Sequence, residues 1–219
     1  MMSIRRSLCA ALPQAVIGVV LIGCGAAAPP TGAPASPSPT VAPTGPFALR
    51  AGTLAPGTYT TTAFQPTLTF TLDDSWRGLF PDDSDEVALE GTDGVFFAMT
   101  RVTEVVDPAT WTPVAVPDDL VSWFTTHPSL TADAPRSSSI GGLTGQWVDV
   151  TVTDGSELEI FAYPSGNMRI AQGVKLRCHV LAMEGPDLTI VVGAPVKGFA
   201  TALDMVQPVL DSLEIIRGS

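Results

Sequence analysis

Cysteine and histidine are scarce in this chain. Its 219 residues hold three cysteines and two histidines. Three thiols cannot form a disulfide framework without leaving one over. His127 and His179 form no H-x-x-x-H pair, and no C-x-x-C occurs, so a zinc site is not expected. A G-x-S-x-G nucleophile elbow is missing; "GGLTG" lacks the serine. The phosphate-binding patterns G-x-x-x-x-G-K-[ST] and G-x-G-x-x-G are missing too. No catalytic residue, no bound metal and no cofactor are expected.

Positive charge is also in short supply. Lysine and arginine number 11 against 22 acids. All the acids lie after residue 46, whereas Arg5 and Arg6 lie before it. Without that N-terminal stretch the formal charge becomes 9 − 22 = −13. Nucleic acid and anionic membrane surfaces would repel such a domain, so no nucleic-acid partner is expected. With 45% apolar residues the chain is too hydrophobic for a disordered protein, and its length suits one or two domains.

No apolar run is long enough to span a bilayer as a helix. The stretch from Leu8 to Ile22 is 15 residues and is interrupted by Pro13 and Gln14. With Arg5 and Arg6 ahead of it, it reads as the core of a signal peptide. It ends Leu21-Ile22-Gly23-Cys24. That quartet resembles the lipobox of bacterial lipoproteins. The resemblance implies cleavage between Gly23 and Cys24 and a diacylglyceryl group on the Cys24 thiol. Two acyl chains hold a protein stably on a membrane where one is marginal. The membrane, reached through that lipid, is thus the expected partner, and the outer face of the bacterial plasma membrane the expected location. Seven of the 20 prolines fall between Pro29 and Pro46, as in an extended tether. The expected organisation is a signal peptide (1–23), a lipidated tether (24–46) and a single α+β domain (47–219).

In that domain "TLTFTLD" alternates strictly, with Leu68, Phe70 and Leu72 on one face and threonines on the other. Period two predicts a strand with one wet face. It should pair with the preceding "GTYTTTAF". "EVALEG" and "GVFFAMTRV" follow around the turn Gly91–Gly94. Asp154-Gly155 predicts a hairpin between "QWVDVTVT" and "ELEIFAY". Glu184-Gly185-Pro186 predicts another between "VKLRCHVLAM" and "LTIVVGA". "PDDLVSWFTTHP" predicts a helix opened by Asp118 and Asp119 and stopped by Pro128. Phe199, Leu203, Val206, Leu210 and Leu213 mark the apolar face of a second helix, with Pro208 inside it. The fold class expected is an antiparallel sheet covered by helices.

"DDLVSWFTTHPSL", "GGLTGQWVDVTV" and "VQPVLDSLEII", with the strands above, resemble a group of uncharacterised bacterial surface lipoproteins. Their order of elements is similar to the PsbP-like α/β/α sandwich. That resemblance implies a binding or assembly module and no reaction.

Three features bear on a site. "DDSDE" gathers Asp82, Asp83, Asp85 and Glu86, which reads as a solvated acidic loop or a weak calcium site. Neighbouring strand residues point to opposite faces, so Cys178 and His179 should diverge, with Cys178 buried and inert. Trp147 is opposite Val148 and Val150; it either packs in the core or lines a ligand surface. The function expected is a membrane-anchored, non-catalytic binding or assembly module of unknown partner. The alternative is a carrier holding a lipid or other apolar ligand between sheet and helices.

Overall fold

Strands dominate because most of the domain alternates or runs continuously apolar, and only two stretches keep a helical period. A computed structural model describes residues 46–216 other than 154, 156 and 165. Gly23, Cys24 and the proline-rich segment before residue 46 lie outside the described residues.

In chain order the first strands are β1 (Gly52–Thr53), β2 (Gly57–Thr60), β3 (Thr67–Leu72), β4 (Arg77–Gly78), β5 (Glu86–Glu90), β6 (Phe96–Arg101), β7 (Glu104–Val106) and β8 (Pro113–Ala115). Helix α1 (Leu120–Thr126) precedes β9 (Leu130–Ala132), β10 (Arg136–Ile140), β11 (Leu143–Val152), β12 (Glu157–Tyr163), β13 (Gly166–Ala171), β14 (Val174–Leu181) and β15 (Leu188–Pro195). Helix α2 (Phe199–Asp211) and β16 (Glu214–Ile216) follow.

The central sheet has the order β1-β4-β5-β6-β15-β14-β11-β10, with β9 also on β11. A second sheet runs β13-β12-β7-β8 and a third runs β16-β3-β2. The ladders within all three are antiparallel. The expected α+β class holds, but each face of the central sheet is covered by one helix and one small sheet. On one face α2 and the third sheet bury Phe70, Val206 and Val209 against Phe97, Met99, Ile190 and Val192. On the other, α1 and the second sheet bury Phe124, Ile160 and Phe161 against Val148, Val150, Leu176 and Val191. Cover on both sides explains why β15 reads as an almost unbroken apolar run.

Local chemistry sets the elements as the sequence suggests. Leu68, Phe70 and Leu72 of β3 are buried, and β3 pairs with β2. Helix α1 is opened by Asp119, whose Oδ1 accepts from the Ser122 N–H at 2.8 Å. It stops at Thr126 because His127, ahead of Pro128, is extended (ψ 124°). Gly141 (φ 56°) and Gly142 (φ 77°) form the two-residue loop joining β10 to β11, where both central residues need positive φ.

Two expectations are corrected. β11 and β12 do not form a hairpin. β11 pairs with β14, β10 and β9, while β12 pairs with β13 and β7 in another sheet. Of the turn residues that predicted the hairpin, Asp154 is outside the described residues and Gly155 has φ 95°. The two strands meet face to face, with Val148 and Val150 in the same core as Leu158 and Ile160. The buried line of α2 is also rotated: Phe199, Ala202, Val206 and Val209 are buried. Leu203 and Leu210 pack along its flank, half-buried. The small Ala202 lets the helix sit close to the sheet.

Candidate functional site

The most elaborate polar arrangement lies on the α2 side of the central sheet. β11 sends Val148 and Val150 toward α1, so Trp147 and Asp149 point the other way. On β14 the same alternation places Lys175, Arg177 and His179 beside them. The register sets Trp147 opposite His179 and Asp149 opposite Arg177. β10 adds Arg136 opposite Trp147.

These side chains form a stack. The Arg177 guanidinium lies 3.7 Å from the centre of the Trp147 ring, and that of Arg136 lies 5.3 Å from it. Such contacts are worth about 0.5–2 kcal/mol each, depending on exposure. Arg177 also grips Asp149 with two hydrogen bonds, from Nε at 2.7 Å and Nη2 at 3.0 Å. Lys175 Nζ bridges Asp133 (2.9 Å) and Asp149 (3.3 Å). The hydrogen bond to Asp133 is the main reason the Lys175 pKa is raised. Phe199 closes the far end, 5.5 Å from Lys175 and 5.9 Å from Arg177. Asp149 is buried, and these two bases are its ion-pair partners. Trp147 is half-buried and Arg136 exposed, which leaves an indole edge and a guanidinium facing solvent. The alternatives open for Trp147 thus meet in one residue: it packs, and it also presents a surface.

His179 sits beside this stack, with its Nδ1 2.8 Å from Ser138 Oγ. Burial, and then the Arg177 charge, push its pKa from 6.5 to about 4. Cys178 is on the other face, sealed among the α1-side core, and burial raises its pKa. The two side chains diverge as expected, so no thiol–imidazole pair forms. His127 packs on Trp123 at 4.8 Å, its Nδ1 accepts from the Ser129 N–H, and burial lowers its pKa.

The acidic run is used for structure. The Asp82 carboxylate accepts from the N–H and hydroxyl of Thr62 and from the N–H groups of Ala63 and Phe64. Asp83 accepts from the Asp85 N–H. Glu86 begins β5. Among the described residues no three His, Cys, Asp or Glu side chains come together in a way that could hold a metal. Of the run Asp82, Asp83, Asp85 and Glu86, the loop 62–64 thus takes up the Asp82 oxygens.

Trp76 is buried beside Phe97. Trp111 is 58% exposed at the β7–β8 turn with φ 57°. Asp107 braces that turn by accepting from Ala109 and Thr110. No helix of the described residues is long and apolar enough to cross a membrane.

Two of the surface cavities among the described residues bear on function. One, of about 510 Å³, is lined mainly by Leu79, Val95, Phe96, Val174, Ala194 and Pro195. The other, of about 340 Å³, lies between the β14–β15 turn and the start of α1. Sequence reasoning missed the second, because Asp118 and Asp187 come together only through the fold. It also missed the arginine stack, which needs the β11–β14 register to be seen.

No family model matches this chain. No curated protein matches it either. Among solved structures, LpqN of Mycobacterium tuberculosis, described as involved in cell envelope biogenesis, is 12% identical with a TM-score of 0.39. That match covers 73% of this chain and 91% of LpqN. The cyanobacterial PsbP (CyanoP) of Synechocystis is 11% identical with a TM-score of 0.39, over 78% of this chain and 99% of that one. A protein of Bacteroides thetaiotaomicron is 10% identical with a TM-score of 0.36. There the match covers 68% of this chain and only 45% of that one. Likenesses at this level assign neither a family nor an activity to this chain.

Proposed function

We propose that this protein is a lipid-anchored, extracytoplasmic lipoprotein whose domain (47–219) acts as a non-catalytic binding or assembly module. The observation that carries the reading is Leu21-Ile22-Gly23-Cys24, behind two arginines and a short apolar run and ahead of a proline-rich stretch. Acylation of Cys24 holds the chain to the outer face of the membrane. In the domain, Cys178 is sealed in a core, and the charges around Trp147 are paired to one another. What faces outward there, the Trp147 edge and Arg136, suits contact with a partner better than bond-making.

A second reading is favoured by the 510 Å³ cavity, whose lining is largely apolar: a carrier of a lipid or similar ligand. One experiment addresses both. The chain is purified from its own membrane and weighed, intact and in native form. A mass set by cleavage before Cys24 plus a diacylglyceryl group supports the anchor, and an unmodified chain refutes it. A retained lipid, displaced when Leu79→Trp at the cavity wall fills part of the space, would favour the carrier.

A further inference from the structure

We propose that the 340 Å³ cavity is a binding site for a small amino alcohol, with its ammonium group at the mouth and a hydroxyl at the floor. The site is independent of the anchor on Cys24 and of the Trp147 surface.

The floor is Thr189. Its side chain is fully buried, and its Oγ1 makes no hydrogen bond to the described residues. On β15, Leu188, Ile190 and Val192 join the α2-side core and Val191 joins the α1-side core. Alternation therefore sends Thr189 to the α1 side, where Val102 and Leu120 line the same cavity. A buried hydroxyl without a partner costs about 1–3 kcal/mol. A valine would have the same shape without that cost. The hydroxyl becomes favourable once a ligand group meets it.

The mouth is acidic. Asp118 and Asp187 line it, and no lysine, arginine or histidine does. Asp119, not Asp118, caps α1, and Asp118 takes no hydrogen bond from the described residues. Asp187 Oδ1 accepts from the Met183 N–H at 3.3 Å, and Oδ2 takes none from the described residues. Arg101 lies against the same turn and keeps its positive charge, one against the two carboxylates, with its N–H groups turned to the backbone. It donates to the carbonyls of Glu184 (3.0 Å) and Pro186 (2.7 and 3.1 Å). Two carboxylates with open lone pairs accept the N–H groups of an ammonium, and an acceptor-only group such as a phosphate would be repelled. Between mouth and floor, Val102, Val116 and Leu120 offer an apolar wall for a short carbon chain. Water takes about 30 Å³ per molecule in the liquid, so the cavity holds roughly ten waters or a ligand of about that many non-hydrogen atoms.

The test uses the full chain in a neutral detergent and calorimetric titration with three probes at physiological salt. They are 6-aminohexan-1-ol, hexylamine without the hydroxyl, and 1,6-hexanediol without the charge. The amino alcohol should bind about threefold to tenfold more tightly than hexylamine, the value of one hydrogen bond, and the diol most weakly. Thr189→Val should melt no lower than the parent and should bind the amino alcohol and hexylamine equally. Thr189→Ser should restore the preference. Asp118→Asn with Asp187→Asn should weaken both amines and leave the diol unchanged. No saturable binding overturns the proposal. So does equal affinity of the parent chain for the amino alcohol and hexylamine, or binding that survives both asparagine changes, which would mark attraction to the acidic surface at large.

Discussion

Acidification from pH 7 to pH 4 tests the burial of His179. In the folded chain its pKa is lowered from 6.5 to about 4, by burial first and by Arg177 second. Between those values the unfolded chain holds a proton that the native chain does not. Stability therefore rises with pH across this window. The contribution is fully present above 6.5, is lost as pH falls toward 4, and does not change further below that. One pKa unit corresponds to 1.36 kcal/mol, so His179 alone accounts for roughly 3 kcal/mol. Domains of this size have a total stability of about 5–15 kcal/mol. His127, also lowered by burial, adds a term of the same sign. Asp73 and Asp107 have pKa values lowered from 3.8, so their losses are concentrated below pH 4 and only their onset reaches pH 4.2, equally in parent and variant. The assay is urea unfolding at pH 7, 6, 5 and 4.2 for the parent and for His179→Gln, which keeps a hydrogen-bonding group near Ser138. The parent should lose stability steeply between pH 6 and 4.2, and the variant should lose much less. Parallel curves would refute the burial argument.

Val206→Ala, at the centre of the buried line of α2, should cost about 2 kcal/mol, whereas exposed Asp211→Ala should cost little; thermal melting separates them. Cys178 should resist a thiol reagent in the native chain and react within minutes in denaturant, and rapid native labelling would invert the assignment of β14's faces. Asp149→Ala leaves Arg177 and Lys175 without their shared partner and should destabilise by about 3 kcal/mol in chemical denaturation. Asp82→Ala should lower the melting temperature by freeing the loop 62–64, and millimolar calcium should not raise that of the parent.

Legibility followed the range of the interaction. β3 could be read because its alternation is written into six adjacent residues, and α1 because its cap and stop lie within the same dozen. The β14–β15 hairpin is equally local. β11 and β12 misled because period two states that a strand has two faces and not which neighbour lies at its edge. Val148 and Leu158 suit two strands laid side by side or one sheet stacked on another, and partners far along the chain decided for stacking. The line on α2 misled for a different reason. Leucines draw the eye, yet the close approach runs through Ala202, and Leu203 and Leu210 fall to its sides. The arginine stack and the Thr189 cavity were invisible because each joins residues from several elements whose alignment only the sheet order supplies.

That sheet order carries a consequence for the sequence of events in folding. At the middle of the central sheet β6 is zipped to β15, and Arg101 faces Leu188 across the ladder. A chain made from its N-terminus must therefore hold β4, β5 and β6 waiting while nearly ninety further residues emerge (188 − 101 = 87). β3 waits longer still, since its outer partner β16 is among the last residues described. Closing such long loops before any contact rewards them makes folding slow. The nascent domain thus has no early stopping point: its α1-side core waits for Val191 and its α2-side core for Leu213.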